Sequence, residues 1–418
     1  MMQPIDIAII GAGAAGLMAA IWAGRTARAT GQMRSIVLLD GAKKVGAKIL
    51  VAGGGRCNVT HDVVDEAAFA GSSRNAIRKV LRRFDVPQTV EFFSELGVEL
   101  KREDTGKLFP TTDRAQTVLD ALLRAAREAG VDLRNPWRVR DVARHHDNDH
   151  FILRGEQGEL SARHLILATG GKSLPKTGSD GAGYEFARAL GHSTTQRIFP
   201  ALVPLIVKEG HFIRALSGIT LPASLSVHRA TGRKLIEFTN STLCTHFGLS
   251  GPSALDISRY LIDAMIDDED AHLIVNWLPG ETADLLDRSL LVSPRSTILA
   301  ALRRRLPERL LRSLCGEAGA DPAATIGSLP RDKRQALVRA IVECPVPVTG
   351  DRGFAHAEVT AGGVPLRELH LDTMESRITP RLHIIGEICD VDGRIGGYNF
   401  QWAWASGHVA GVATGANR

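Results

Sequence analysis

Gly11, Gly13 and Gly16 follow the apolar run Ile5-Asp6-Ile7-Ala8-Ile9-Ile10 at the spacing G-x-G-x-x-G. Between a strand and a helix that spacing binds a dinucleotide: Gly11 permits the tight turn, Gly13 lets the backbone approach a pyrophosphate, and Gly16 lets the helix lie close on the strand. Ala14 and Ala15 open the helix, so their N–H groups point at the phosphates. A second apolar run, residues 35–39, ends in Asp40, where a carboxylate meets the adenosine ribose hydroxyls.

Further along, Gly53-Gly54-Gly55-Arg56-Cys57-Asn58 makes a poor helix or strand interior, because glycine costs backbone entropy in both. Residues 46–60 are expected to form a loop against the ligand, with Lys48 and Arg56 for its phosphates and Asn58 for a polar ring edge. Leu165-Ile166-Leu167 ends in Ala168-Thr169-Gly170-Gly171, small residues that suit the crevice at the C-terminal end of a strand. Residues 382–385 run into Gly386-Glu387, and Gly396-Gly397-Tyr398-Asn399-Phe400-Gln401 opens a last helix. Residues 178–183 are also glycine-rich, but no strand leads into them; they read as a loop and helix cap.

The five cysteines, Cys57, Cys244, Cys315, Cys344 and Cys389, are scattered and show neither CxxC nor CxxxxC spacing. That argues against structural disulfides, a zinc site or a thiol relay, and for a reducing cytoplasm; Cys57 reads as a small buried residue. No metal is expected. His246 is a candidate acid or base, with a plain local capping role as the competing reading. The net charge of +5 suits an anionic ligand but is too small to demand nucleic acid. Met1-Met2-Gln3-Pro4 leads into the first strand without a basic region, so no signal peptide is expected, and no apolar run is long enough to span a membrane.

Helices are expected near residues 75–84 and 86–96, then a hairpin at residues 106–110. Thr111, Thr112 and Asp113 are N-cap types for a helix ended by Gly130. Short strands follow near residues 131–133, 137–142 and 151–153, with Asn148 in the last turn. From about Ser193 the texture changes to short antiparallel strands, with Thr231-Gly232 in a hairpin turn and Pro252 opening a helix. Residues 282–342 read as mainly helical and, through Arg303-Arg304-Arg305 and residues 331–339, basic. Strand and loop return near Glu358.

Taken whole, the motifs resemble the BaiN/RdsA-type NAD(P)/FAD-dependent oxidoreductases, also called YhiN-like, which include proteins described as aminoacetone oxidases. They are GAKILVAGGGRCNVT (46–60), GKLFPTTDRA (106–115), ATGG (168–171), THFGLSGP (245–252) and, within residues 358–407, EVTAGGVPL, TMESRITP, GEICDVDG and GGYNFQWAWASG. The resemblance runs from residue 5 to about 412; Asp40 departs from the Glu usual at its place. It implies an α/β fold: a Rossmann-like FAD-binding domain of the two-dinucleotide-fold flavoprotein type, with an inserted β-barrel-like domain that carries a helical insertion. The expected division is residues 1–193 and 358–418 for the FAD-binding domain and 194–357 for the insert, helical over about 280–343.

Carried over by resemblance, Gly11, Gly13, Ala14, Ala15 and Gly16 hold the FAD pyrophosphate and Asp40 the ribose. Val139 gives adenine a backbone contact, and Lys48, Gly54, Gly55, Arg56, Cys57, Asn58, Ala168, Thr169, Gly170, Gly386 and Glu387 lie along the cofactor. Gly397, Tyr398, Asn399 and Phe400 set a helix N-terminus near the flavin's pyrimidine edge. The expected function is hydride transfer between a small organic substrate and flavin N5, with NAD(P)H as a transient co-substrate. The alternatives are an FAD-containing tRNA-modifying or RNA-binding protein using the basic helical insertion, and a flavin-bearing protein without turnover. The absence of interleaved aromatics there argues against nucleic acid as partner.

Overall fold

The structure is a computed structural model that describes residues 4–145 and 150–416; Met1, Met2, Gln3 and the turn expected at Asn148 lie outside the described residues. The chain forms two compact units, one from residues up to Pro200 together with those from Glu358, the other from Ala201–Ala357.

The first unit is built on a parallel sheet. Its strands lie in the order Leu382–Ile384, Gly158–Leu167, Ile5–Ile10, Ile36–Leu39 and Val131–Arg134. Ile9 sits between Ile166 on one side and Leu38 on the other, and Leu38 in turn faces Leu133. Residues 36–39 and 165–167 are wholly buried, as strands covered on both faces must be. The first half of Gly158–Leu167 instead pairs antiparallel with His150–Gly155, which pairs with Val139–His145.

Two helices pack on this sheet side by side: Ala14–Ala29, which follows the first strand, and Tyr398–Ala416, the last element. Their seam is made of small residues. A Cβ at Gly407 would lie 2.6 Å from the Ala15 carbonyl oxygen, one at Gly411 2.5 Å from that of Ala19, and one at Gly415 2.5 Å from that of Ala23. Both series advance by four, so the helices run parallel with their backbones in contact. Because Gly407 is level with Ala15, the C-terminal helix begins about 12 Å beyond the start of its neighbour, at 1.5 Å rise per residue.

Two local expectations change. Residues 46–60 are not loop throughout: Ala47–Val51 make helical turns, and the chain then breaks at Ala52 (ψ 144°) into left-handed Gly53, Gly54 and Gly55. The helix expected to start on Thr111, Thr112 or Asp113 is Ala115–Glu128, with Arg114 at its N-cap and no side-chain cap. Asp113 has φ +52° and is drawn to Lys101 and Arg56 instead.

The second unit holds an antiparallel sheet in the order Cys344–Val346, His272–Asn276, Thr220–His228, Lys234–Thr245, Gly248–Ser250, Leu205–Val207 and Val348–Asp351. Its two end strands are separated in the chain by Pro347 alone, so the sheet has to curl back on itself like a barrel. Between His272–Asn276 and Cys344–Val346 the chain forms four helices within residues 283–342, packed on Leu286, Leu310, Leu314 and Ile341. No helix among the described residues is long and apolar enough to cross a membrane.

The helix seam generates a direct test. Gly411→Val forces the two backbones apart, an overpacking that costs about 1–3 kcal/mol, and is expected to lower the thermal midpoint and release bound cofactor. Gly316→Ala, whose Cβ would meet nothing within 4 Å, is the control and leaves the midpoint unchanged or raised.

A second prediction concerns acid. Burial pushes His164 and His408 down to about 4, and His383 beside His164 adds to that shift. Both stay neutral in the fold while the unfolded chain takes up protons below about 6.5. Stability is therefore complete above that pH and declines as pH falls toward 4, by ~1.4 kcal/mol per pH unit for each group. Urea unfolding at pH 7 and pH 5 reads this, and His408→Leu is expected to flatten the dependence; equal stabilities at both pH values would contradict it.

Candidate active site: a cofactor groove between two helix N-termini

The three fingerprint glycines divide by what surrounds them. A Cβ on Gly11 (φ +104°) would stand 2.4 Å from the Ala168 carbonyl oxygen, and one on Gly16 1.8 Å from that of Gly11, so protein packing requires both. Gly13 has φ −81°, open to any residue, and its Cβ would meet nothing within 4 Å. The space over Gly13 fits a pyrophosphate. Ala14 and Ala15 start the helix with no side-chain cap, and the first helical bond runs from the Leu17 N–H to the Gly13 carbonyl. The preceding N–H groups therefore lack helical acceptors and suit an anion.

Asp40 stands at the end of its strand. Its carboxylate accepts the Ala12 and Ala42 N–H groups at 2.7 Å each, holding the glycine turn in shape. Burial raises its pKa, and these two backbone bonds and Arg138 act against that. A carboxylate offers about four lone pairs, so acceptor capacity for a ribose remains. Val139 lies close by, because the Trp137 N–H donates to the Asp40 carbonyl at 2.7 Å.

Left-handed Gly53, Gly54 and Gly55 precede Cys57, itself left-handed at φ +61° and wholly buried. Gly54 has open space where a Cβ would stand, and Gly55 nearly so. Burial pushes the Cys57 thiol up to about 12, which leaves it unreactive. Asn58 is buried, with its side-chain oxygen unpaired among the described residues, a polar atom left for a ligand. Arg56 stacks on Phe109 at 3.9 Å and pairs with Glu103 and Asp113, so its charge is partly neutralised. Lys48 pairs with Glu387 and donates to the Ser173 hydroxyl at 3.1 Å. Glu387 also accepts from Ser173 at 2.7 Å and from the Thr360 N–H at 3.0 Å. Lys48 and Glu387 thus form a closed network under the Ala168-Thr169-Gly170-Gly171 turn.

The C-terminal helix holds the groove together through side chains that motif reading passed over. The Trp402 indole N–H donates to the Gly386 carbonyl at 3.0 Å, and that of Trp404 to the Val59 carbonyl at 2.8 Å. The Gln401 side chain accepts from Thr60 and Thr89 and donates to the Phe84 carbonyl. Asn399 bonds both backbone groups of Gly393, at 2.8 and 2.9 Å. Its side-chain oxygen and nitrogen each hold a protein partner there. The signals were the buried Trp, Gln and Trp within residues 401–404 and the Gly407, Gly411, Gly415 spacing. Tyr398 stacks on His61 at 5.0 Å, and Phe400 on Trp404 at 5.5 Å.

The first unit thus collects Gly11, Gly13, Ala14, Ala15, Gly16, Asp40, Lys48, Val139, Ala168, Thr169, Gly170, Gly386, Glu387, Gly397 and the segment of residues 53–58 on one fold. His246 belongs to the second unit, where it is exposed and its carbonyl accepts from Arg214 at 2.9 Å.

Gly13 and Gly16 are expected to separate cofactor binding from folding. Gly13→Ala should keep the thermal midpoint of the cofactor-free protein while weakening FAD binding by about tenfold or more, ~1.4 kcal/mol. Gly16→Ala should lower that midpoint. Flavin fluorescence titration and calorimetry on both variants provide the check.

A family model described as the HI0933-like protein Rossmann domain matches residues 5–413. Over 412 residues the chain is 34% identical to a 3-dehydro-bile acid delta(4,6)-reductase of Clostridium scindens, covering 97% of this chain and 98% of that one. It is 33% identical over 421 residues to a ribosomal RNA dihydrouridine synthase of Escherichia coli, covering 97% and 96%. In fold it is similar to the 3-ketosteroid delta1-dehydrogenase of Sterolibacterium denitrificans, with a TM-score of 0.52 at 14% identity and 99% and 100% of the two chains covered. With the open cradle over Gly13 and the match along nearly its whole length, the chain belongs to the HI0933-like family and is an FAD-dependent oxidoreductase.

Proposed function

We propose that the protein reduces a carbon–carbon double bond conjugated to a carbonyl group, with NAD(P)H as external reductant, in the cytoplasm. The observation that carries this reading is the pair of parallel helix N-termini staggered by about 12 Å along their axis. One suits the pyrophosphate; the other lies farther along by roughly the reach of an extended ribityl chain. A helix N-terminus favours negative charge, which reduction places on the pyrimidine edge of a flavin.

FAD bound there supplies hydride chemistry: the π bond opens, hydride goes to the carbon β to the carbonyl and a proton to the α carbon. The protein's part is orientation. Gly54 and Gly55 leave the backbone bare on one side of the groove, and Trp402 and Trp404 fix both its walls. Two relatives support the substrate class, because a delta(4,6)-reductase of a 3-oxo steroid and a dihydrouridine synthase both saturate an alkene conjugated to a carbonyl. His246 remains a candidate proton donor. The five free and buried cysteines suit a reducing compartment.

Anaerobic mixing tests the proposal. NADH or NADPH is expected to bleach the flavin, and a 3-oxo-4-ene steroid or an unmodified ribosomal RNA transcript to restore its colour, with a mass gain of two hydrogens in the product. Bleaching by amines alone, with recovery only on an oxygen pulse, would make the protein an oxidase and overturn the reading.

A further inference from the structure

The helix Arg74–Leu81 and the turn after it carry Arg74, Arg78, Lys79, Arg82 and Arg83, with no acidic residue from Ser72 to Phe84. Ile77, Val80 and Leu81 form one buried face; Lys79 and Arg82 lie opposite it, and Arg74 and Arg78 along its flank. Arg74, Lys79, Arg82 and Arg83 are exposed and have no carboxylate partner among the described residues; Arg78 meets Glu66 at 3.5 Å. Other surface arginines of this unit are paired, Arg25 with Glu95, Arg134 with Asp132, Arg140 with Glu156, Arg154 with Asp141 and Glu159, Arg188 with Glu185, while Arg114, Arg127 and Arg367 stand singly without a carboxylate partner among the described residues; residues 74–83 differ in gathering four such cations on one short stretch.

The helix's own electrostatics oppose this arrangement. Arg74/Arg78, Arg78/Arg82 and Lys79/Arg83 are like-charge neighbours four apart, which destabilise a helix. The dipole accounts for cations in the last turn but disfavours Arg74 in the first. A polyanion laid along the exposed face offsets the repulsion between these like charges.

The helix is also tied to the reacting end of the groove. Just before it, the Ser72 N–H donates to the Asp390 carbonyl at 2.8 Å, and the preceding strand Phe69–Gly71 pairs with Val391–Gly393, which leads into the C-terminal helix. Just after it, the Phe84 carbonyl accepts from Gln401. In the second unit Arg305, Arg312 and Arg334 pair with Glu281, Glu308 and Asp287, while Arg303, Arg304, Arg331 and Arg339 are exposed without a carboxylate partner among the described residues. The RNA surface expected on that helical insertion is therefore in part neutralised.

We infer that the exposed face of Arg74–Leu81, with Arg82 and Arg83, docks the phosphate backbone of a folded RNA whose base is the alkene reduced at the flavin. This deepens the reading above and rests on it. Folded RNA is held largely through shape and phosphate contacts, so interleaved aromatics are not required.

The test uses the FAD-loaded full chain and an unmodified transcript of bacterial ribosomal RNA, with binding followed by fluorescence anisotropy between 50 and 200 mM salt, a range in which phosphate contacts are read from the slope. Four contacts give a slope of log K against log salt near −3, at ~0.7–0.9 per phosphate. The variant Arg74→Gln/Lys79→Gln/Arg82→Gln/Arg83→Gln is expected to bind more than tenfold more weakly at the lower salt, with a flatter slope. Its flavin spectrum and its reduction by NADPH should stay unchanged, and Arg82→Lys/Arg83→Lys should keep the slope. Unchanged RNA binding by the fourfold variant overturns the inference, as does loss confined to Arg303→Gln/Arg304→Gln in the second unit. RNA held by this face but never reduced would fail the activity and leave the docking surface standing; steroid reduction without any RNA binding would do the reverse.

Discussion

The close parallel contact of the first and last helices is the constraint on which the first unit depends. Three glycines on one helix meet three alanines on the other at backbone distance, and this allows no intermediate spacing. It fixes where the C-terminal helix begins relative to the fingerprint turn, and so fixes the distance between two positive helix ends. Any larger residue in that seam changes the length of the groove before it changes any residue that lines it.

From that fixed axis, polar side chains reach out to segments that have little regular structure of their own. Trp402 holds Gly386, Trp404 holds Val59, Gln401 holds Thr60, Thr89 and Phe84, and Asn399 holds Gly393. Each uses a polar group whose partners, Thr89 on its helix apart, are loops or strand ends, an arrangement costly to leave half made. The glycine-rich stretch after Val51 therefore has a defined path although its own residues favour none.

The sequence was informative where a motif carries its own geometry. The strand and glycines of residues 5–16, the small residues after Leu167 and the glycine-opened last helix were legible because a few neighbouring residues define them. Less visible was what the side chains in those motifs touch. Lys48 and Arg56 read as free cations, yet their carboxylate partners are Glu387, Glu103 and Asp113, the first more than 300 residues away in sequence. The seam escaped notice because Ala15, Ala19 and Ala23 gain meaning only opposite Gly407, Gly411 and Gly415. At residues 111–113 a local rule lost to a longer-range one, when Asp113 left its capping place for Lys101.

The groove takes one wall from residues near 11–16 and the other from residues near 386–404, with the second unit's sequence between them. During synthesis at ~5–20 residues per second, the fingerprint turn leaves the ribosome tens of seconds before the helix that completes it. In that interval the face of Ala14–Ala29 that meets the last helix has nothing to pack against. The last helix is therefore a closing element in this protein's maturation, and a chain interrupted within the second unit ends as an apolar surface awaiting quality control.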